Sequence, residues 1–179
     1  MEKYSNETGY PSVTNIIDPW LDKRWFKDEH RRRGDHVHQR VAAHINYDFL
    51  PDYDTQYDVY FRSFLKFEPR IQKVVLSEER MACDELRFCG QPDIIFIDAD
   101  GLLTLGDWKT SVAIAKYWPI QLGGYSILLK NTKGISVEKC MIIRLRREED
   151  KNPLINDYDV NECERLFRNQ LELYNIFKR

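Results

Sequence analysis

The sequence predicts an α/β domain with a mixed central β-sheet flanked by α-helices, and three observations predict it. Apolar residues recur at helical spacing in the first third of the chain and again at its end. Strand-like segments cluster in the middle around one clear hairpin. A helical stretch then separates that hairpin from one further strand, an order typical of helices laid against a mixed sheet.

The elements follow in chain order. The opening segment, roughly residues 1–20, holds Pro11 and Pro19 and reads as an extended lead-in. From about 28 to 50, Val37, Val41, Ile45 and Phe49 make one apolar stripe of a helix, which Pro51 interrupts. Residues 55–68 form a second helix through Tyr57, Tyr60, Phe61, Phe64 and Leu65, ended by Pro69. A strand-like run starts at Lys73, and a turn around Asp84 and Glu85 follows.

The hairpin is the clearest local feature. Asp98, Ala99, Asp100 and Gly101 have turn chemistry, since Asp and Gly tolerate the backbone angles a tight turn needs. Ile94 to Ile97 precede the turn, and Leu102, Leu103 and Leu105 follow it. Strands apolar on both faces belong to a sheet covered on both sides. Pro119 suits the first turn of a helix that continues through Gln121 and Tyr125. Lys139 to Arg146 is a further strand, and an amphipathic helix from about 160 carries Leu166, Phe167, Leu173, Tyr174 and Phe177.

Bulk composition excludes little. At 179 residues the chain suits one domain, 1–179, and 42% hydrophobic residues can supply its core. No apolar run approaches the ~20 residues of a membrane span, and the polar start lacks a signal-peptide pattern. The expected location is therefore cytoplasmic, with no membrane partner. A net charge of −2 leaves a local phosphate-binding patch open. Cys83, Cys89, Cys140 and Cys163 form no CxxC pair, which argues against zinc and against an iron–sulfur cluster.

Chemistry concentrates at the open end of the hairpin. Side chains two apart on a strand share a face, so Asp107 and Lys109 point the same way. The turn brings the partner strand back, and Asp93 stands at its start. Two carboxylates and an ammonium then converge. Carboxylate oxygens suit hard cations such as Mg²⁺ or Mn²⁺, which assist phosphodiester hydrolysis, while the lysine can hold the attacking water and stabilise negative charge.

Pro92-Asp93 followed by Asp107-Trp108-Lys109 resembles the signature of the PD-(D/E)XK nuclease superfamily. Further motifs resemble its RecB-like branch: Gly90 before Asp93 as in G-x-x-D, Gln121 to Tyr125 as in QxxxY, and Gly34 to His38 as in GxxxH. Tyr10 to Thr14 is similar to the PSVT opening of phage RecB-like exonucleases and of the mitochondrial genome maintenance exonuclease. The resemblance implies a restriction-endonuclease-like fold and a Mg²⁺- or Mn²⁺-dependent deoxyribonuclease. It implies Asp93, Asp107, His38 and Glu78 as metal ligands, with the backbone carbonyl of Trp108 completing the shell, and Lys109 as the catalytic lysine. The resemblance implies Glu78 over Glu79, because Glu78 lies twelve residues before Gly90, similar to the mitochondrial relative's pattern, and only one of two adjacent strand residues can face the site. Gln121 and Tyr125 would orient the site or touch the DNA strand. The same likeness favours an exonuclease acting on single strands or duplex ends. The alternatives are a structure-specific DNA or RNA endonuclease and a catalytically idle nucleic-acid-binding module. No P-loop motor motif is present, so a helicase, recombinase or single-strand-binding partner would be a separate chain.

Other features carry ordinary readings beside functional ones. Arg31 to Arg33 and Arg144, Arg146 and Arg147 could grip phosphates, though charged runs are more often solvated faces. Trp20, Trp25 and Trp118 could stack on bases, though aromatics in a small domain are more often core. Gly123 and Gly124 inside a helix cost about 1 kcal/mol each relative to Ala, which points to close packing.

Overall fold

The computed structural model describes residues 9–20, 28–47 and 55–177. Phe49, Pro51 and Trp25, along with the side chain of Trp20, lie outside the described residues.

The opening segment is not extended throughout. Residues Val13–Ile17 form helix α1, followed by a 3-10 turn at Asp18–Trp20. Ser12 starts it with a capping box: its side chain accepts from the Asn15 N–H, and the Asn15 side chain reaches back to the Ser12 N–H. Helix α1 is only five residues long, too short to persist in isolation. Its buried Val13, Ile16 and Ile17 hold it against the rest of the molecule, and Gln170 donates to the Ile16 carbonyl.

Helices α2 (Asp28–Asn46) and α3 (Asp58–Phe67) come next, with a 3-10 turn holding Pro69 after α3. The strands are β1 (Ile71–Ser77), β2 (Met81–Cys83), β3 (Phe88–Gly90), β4 (Ile94–Asp98) and β5 (Leu103–Lys109). Helix α4 (Trp118–Lys133), β6 (Lys139–Arg144), β7 (Leu154–Tyr158) and α5 (Val160–Phe177) complete the chain.

Five strands form one mixed sheet in the order β1-β4-β5-β6-β7. Only β5 and β6 pair in parallel, with α4 as their crossover. The other pairs are antiparallel. The run from Lys73 divides between β1 and β2, and β2–β3 form a separate small ribbon. Strand β7 escaped the sequence reading because its LINDY segment has little apolar alternation and lies at the sheet edge, where burial is partial.

The sheet is covered on both faces, as its apolar strands require. Ile95, Leu105, Cys140 and Ile142 face α1, α4 and α5. Ile94, Phe96, Trp108, Met141 and Ile143 face α2 and α3, among the rings of Tyr57, Tyr60, Phe64 and Phe67. Trp118 is core, as are Trp108 and Phe167, but Leu173 and Phe177 lie exposed at the far end of α5. Gly123 and Gly124 let the helices close up. A Cβ on Gly123 would fall 1.9 Å from the Cys163 carbonyl oxygen, and one on Gly124 would meet Phe167 and Val13 at 2.8 Å.

Candidate active site

Strand periodicity builds the site. Ile94 pairs with Gly106, so Asp93, one residue before β4, stands opposite Asp107. Asp93, Asp107 and Lys109 share the α4 face with Ile95 and Leu105, while Trp108 turns to the α2–α3 face. The site thus sits where β5 and β6 end at their C-termini, away from the hairpin turn. Gly106 keeps this end close-packed: a Cβ there would lie 2.9 Å from Ile94 and 3.0 Å from Phe96.

Asp93 is fixed on two sides. Its Oδ2 accepts from the Trp108 N–H at 2.7 Å, and its Oδ1 lies 3.2 Å from His38 Nδ1. The other ring nitrogen, His38 Nε2, is 2.8 Å from the Trp108 carbonyl oxygen. Two acceptors for two ring nitrogens favour the doubly protonated imidazole. Burial opposes that charge, but the Asp93 carboxylate outweighs it and the His38 pKa is pushed up to about 9. Asp93 is held below its ordinary value: burial works the other way, and His38 and Lys109 overcome it.

Glu78 lies just past the end of β1 rather than on it. Its φ of 53° is left-handed, an uncommon state for a residue with a side chain and one found disproportionately at functional sites. The Glu78 N–H donates to the Asp93 carbonyl at 3.1 Å, and Gln91 Nε2 donates to Glu78 Oε2 at 2.6 Å. Burial and the neighbouring Asp93 charge push the Glu78 carboxyl up to about 7. Glu79 points elsewhere and pairs with Lys133.

Asp107 is 1% exposed and sits against the Lys109 ammonium. Burial raises its pKa, Lys109 only partly offsets this, and with Asp93 nearby it stands at about 6. Burial alone would lower the Lys109 pKa, but Asp107 and Asp93 raise it further, so the ammonium stays charged. Lys109 Nζ donates to Gln121 Oε1 at 3.1 Å, and Gln121 Nε2 donates to the Tyr125 hydroxyl at 3.2 Å. Gln121 and Tyr125 are themselves buried, so they steady Lys109 from behind. Gly90 makes room for them, since a Cβ there would lie 2.9 Å from the Tyr125 ring.

Ligand atoms of His38, Glu78 and Asp93 lie within 4.8 Å of one another. Asp107 is outside that trio and faces Lys109 instead. The Trp108 carbonyl is engaged by His38. The donors suit a divalent cation on physical grounds. Two of three clustered carboxylates are raised by burial and mutual repulsion, and carboxylate oxygens with one imidazole are a donor set that a divalent cation can use.

Gln91, Arg80 and Thr110 carry no motif signal and were invisible to sequence reasoning, whereas Arg33 and Arg144 belong to the basic runs it singled out. Gln91 holds Glu78 and in turn accepts from Arg80 Nε. Arg33 donates to Thr110 Oγ1 and to the Thr110 carbonyl, with its guanidinium 5.5 Å above the Tyr60 ring. Arg144 donates to the Val112 carbonyl and so ties down the loop after Lys109. Among the basic runs, Arg31 pairs with Asp28, and Arg146 with Glu148. His36 turns away from the site toward Tyr57.

No protein-family model and no curated protein matches this chain. Solved structures do. The crystal structure of a "Putative exonuclease" from Eubacterium rectale superposes with a TM-score of 0.57 at 12% identity, covering 96% of this chain and 84% of that one. An alkaline exonuclease from Laribacter hongkongensis gives a TM-score of 0.49 at 10% identity, over 94% of this chain and 89% of that one. The likeness to the first of these is one of fold: a five-stranded mixed sheet flanked by helices, consistent with a restriction-endonuclease-like fold.

Proposed function

We propose that this chain is a Mg²⁺- or Mn²⁺-dependent DNA exonuclease that hydrolyses phosphodiester bonds of single strands or duplex ends. The observation that carries this reading is the open hairpin end, where Asp93, Asp107 and Glu78 converge with His38 and Lys109. Asp93, Glu78 and, once it gives up a ring proton, His38 would hold the cation, with Asp107 and the Trp108 carbonyl as further oxygen donors. When bound, the cation supplies Lewis-acid polarisation of the phosphoryl oxygen and lowers the pKa of water.

The protein's own groups do the rest. Lys109 remains an ammonium, so it acts as a hydrogen-bond donor and not as a base. It can hold the attacking water by its oxygen and stabilise the negative charge that grows on the phosphoryl group. Gln121 limits where the ammonium can move, which preserves in-line geometry as the P–O bond breaks. Tyr125 fixes the Gln121 amide so that its oxygen, not its nitrogen, meets Lys109.

The exonuclease preference draws on the motif resemblance and on the likeness of fold to an exonuclease. Its test compares end-labelled linear DNA, closed single-stranded circles and RNA with Mn²⁺ present. The expected result is release of nucleotides from linear DNA by wild type and near-complete loss in Asp107→Ala and Lys109→Ala. Rapid cutting of closed circles would make the protein an endonuclease. Equal activity in all three proteins would sink the proposed centre, and DNA binding without cleavage would favour an idle binding module.

A further inference from the structure

Gly34 is the glycine that packing does not explain. Gly90, Gly106, Gly123 and Gly124 each leave no room for a Cβ, with neighbours at 3.0 Å or closer. Gly101 and Gly134 have positive φ and serve turns. Gly34 has neither reason. It lies inside α2, where glycine is disfavoured by about 1 kcal/mol relative to Ala. No atom of the described residues comes within 4 Å of where its Cβ would be.

Its direction makes this informative. At about 100° per residue, Gly34 falls between Val37, Val41 and His38 on the inward stripe of α2. Val37 and Val41 are fully buried against the sheet, and His38 reaches the Trp108 carbonyl. One turn nearer the helix start, Gly34 is only half-buried and faces a slot that no atom of the described residues enters. Arg33, the next residue back, is swung onto Thr110, immediately after Lys109. A guanidinium has five N–H donors, and the two bonds to Thr110 leave others for an anion. The slot therefore has bare helix backbone on one side and the Arg33 cation, fixed on Thr110, beside it.

We propose that Gly34 keeps this slot open for the phosphodiester backbone of the substrate strand, with Arg33 binding a phosphate next to the one that is cleaved. This rests on the nuclease reading above. A Cβ at position 34 would stand in the path of the strand, while the Arg33 charge offsets the repulsion between phosphates and the acidic centre. The role belongs to substrate binding and is separate from the chemical step.

The test measures stability and DNA binding together, because the proposal sends them in opposite directions. Thermal unfolding is followed for wild type, Gly34→Ala and Gly34→Val. Anisotropy of a short fluorescein-labelled oligodeoxynucleotide is followed in EDTA, and again with Mn²⁺ in a Lys109→Ala background. Gly34→Ala is expected to hold or raise Tm, by roughly 2 °C, while weakening DNA binding about ten-fold. Gly34→Val should weaken it further. Arg33→Gln should flatten the salt dependence of log Kd by about 0.7, one phosphate contact on a single strand. A lower Tm for Gly34→Ala would mean protein atoms fill the slot, and the proposal would fall. So would unchanged DNA affinity in Gly34→Ala with wild type binding well. If wild type binds no oligonucleotide in either condition, the nuclease reading falls along with it.

Discussion

The two ends of the β4–β5 hairpin hold the same kind of residue in opposite states. At the turn, Asp98 is 1% exposed and fully engaged. Its Oδ1 accepts from the Asp100 and Leu102 N–H groups, and its Oδ2 from Thr104 Oγ1 and Lys139 Nζ. Burial alone would raise its pKa, but these donors hold it below the ordinary value. At the open end, Asp107 is equally buried, yet it has Lys109 on one side and Asp93 on the other, and its pKa rises to about 6. A buried carboxylate surrounded by donors is a structural part. Buried carboxylates that face one another form a site waiting for positive charge.

The largest test of this contrast exchanges acid for amide at each end. Asp93→Asn should lower kcat/KM on the order of 10³-fold or more while leaving Tm within a few degrees of wild type. Asp98→Asn should leave the rate within a few-fold. Comparable losses of activity at both ends would break the comparison.

Stability should show the reverse ranking. Asp98→Ala strands the partly buried Lys139 and removes the cap of the turn, a loss of ~3 kcal/mol, which for a chain of this size is roughly 6–12 °C in Tm. Asp107→Ala should cost less, because it removes repulsion as well as attraction. Thermal melts of both variants check this.

The pH dependence sharpens the comparison further. Glu78, Asp107 and His38 all have folded pKa values above their ordinary ones, at about 7, 6 and 9. The folded protein therefore binds more protons than the unfolded chain, and the metal-free protein should lose stability as pH rises from about 5 through 9. Asp93 and Asp98 have the opposite sign, with a contribution present at neutral pH and lost only as pH falls below the ordinary carboxylate range. Mn²⁺ should displace the extra protons, so its binding should tighten with pH and release protons, measurable by titration in weakly buffered solution. Flat metal affinity between pH 6 and pH 9 would count against the site.

The smallest expected effect concerns the support behind the open end. Gly90→Ala would push on the Tyr125 ring at 2.9 Å, costing ~1–2 kcal/mol, with a few-fold fall in rate as Tyr125 loses its hold on Gln121. A stability loss with no change in rate would show that the Tyr125–Gln121 contact does not steady Lys109.

Local pattern determined what depends on local pattern. The Asp98 to Gly101 turn, the apolar runs around it and the two-residue spacing of Asp107 and Lys109 dictated a hairpin with one chemically loaded end. The stripe of Val37, Val41 and Ile45 dictated the inward face of α2, while His38 beside it is singled out only by the GxxxH resemblance. The choice of Glu78 over Glu79 comes from the family resemblance, and in the fold the two side chains have different partners, Gln91 for Glu78 and Lys133 for Glu79. Long-range packing decided the rest. Helix α1 forms because Val13, Ile16 and Ile17 find a core, which five residues cannot do alone. Strand β7 forms because β6 offers it an edge. His38 is paired with Asp93 and the Trp108 carbonyl, and Asp107 is set against Lys109. Such pairings join residues from α2, the start of β4 and the end of β5, so no periodicity within one segment can reveal them. The sequence alone located the acids, but only the packed sheet determined which are satisfied and which are held at a cost, because burial and charge are properties of neighbours in space.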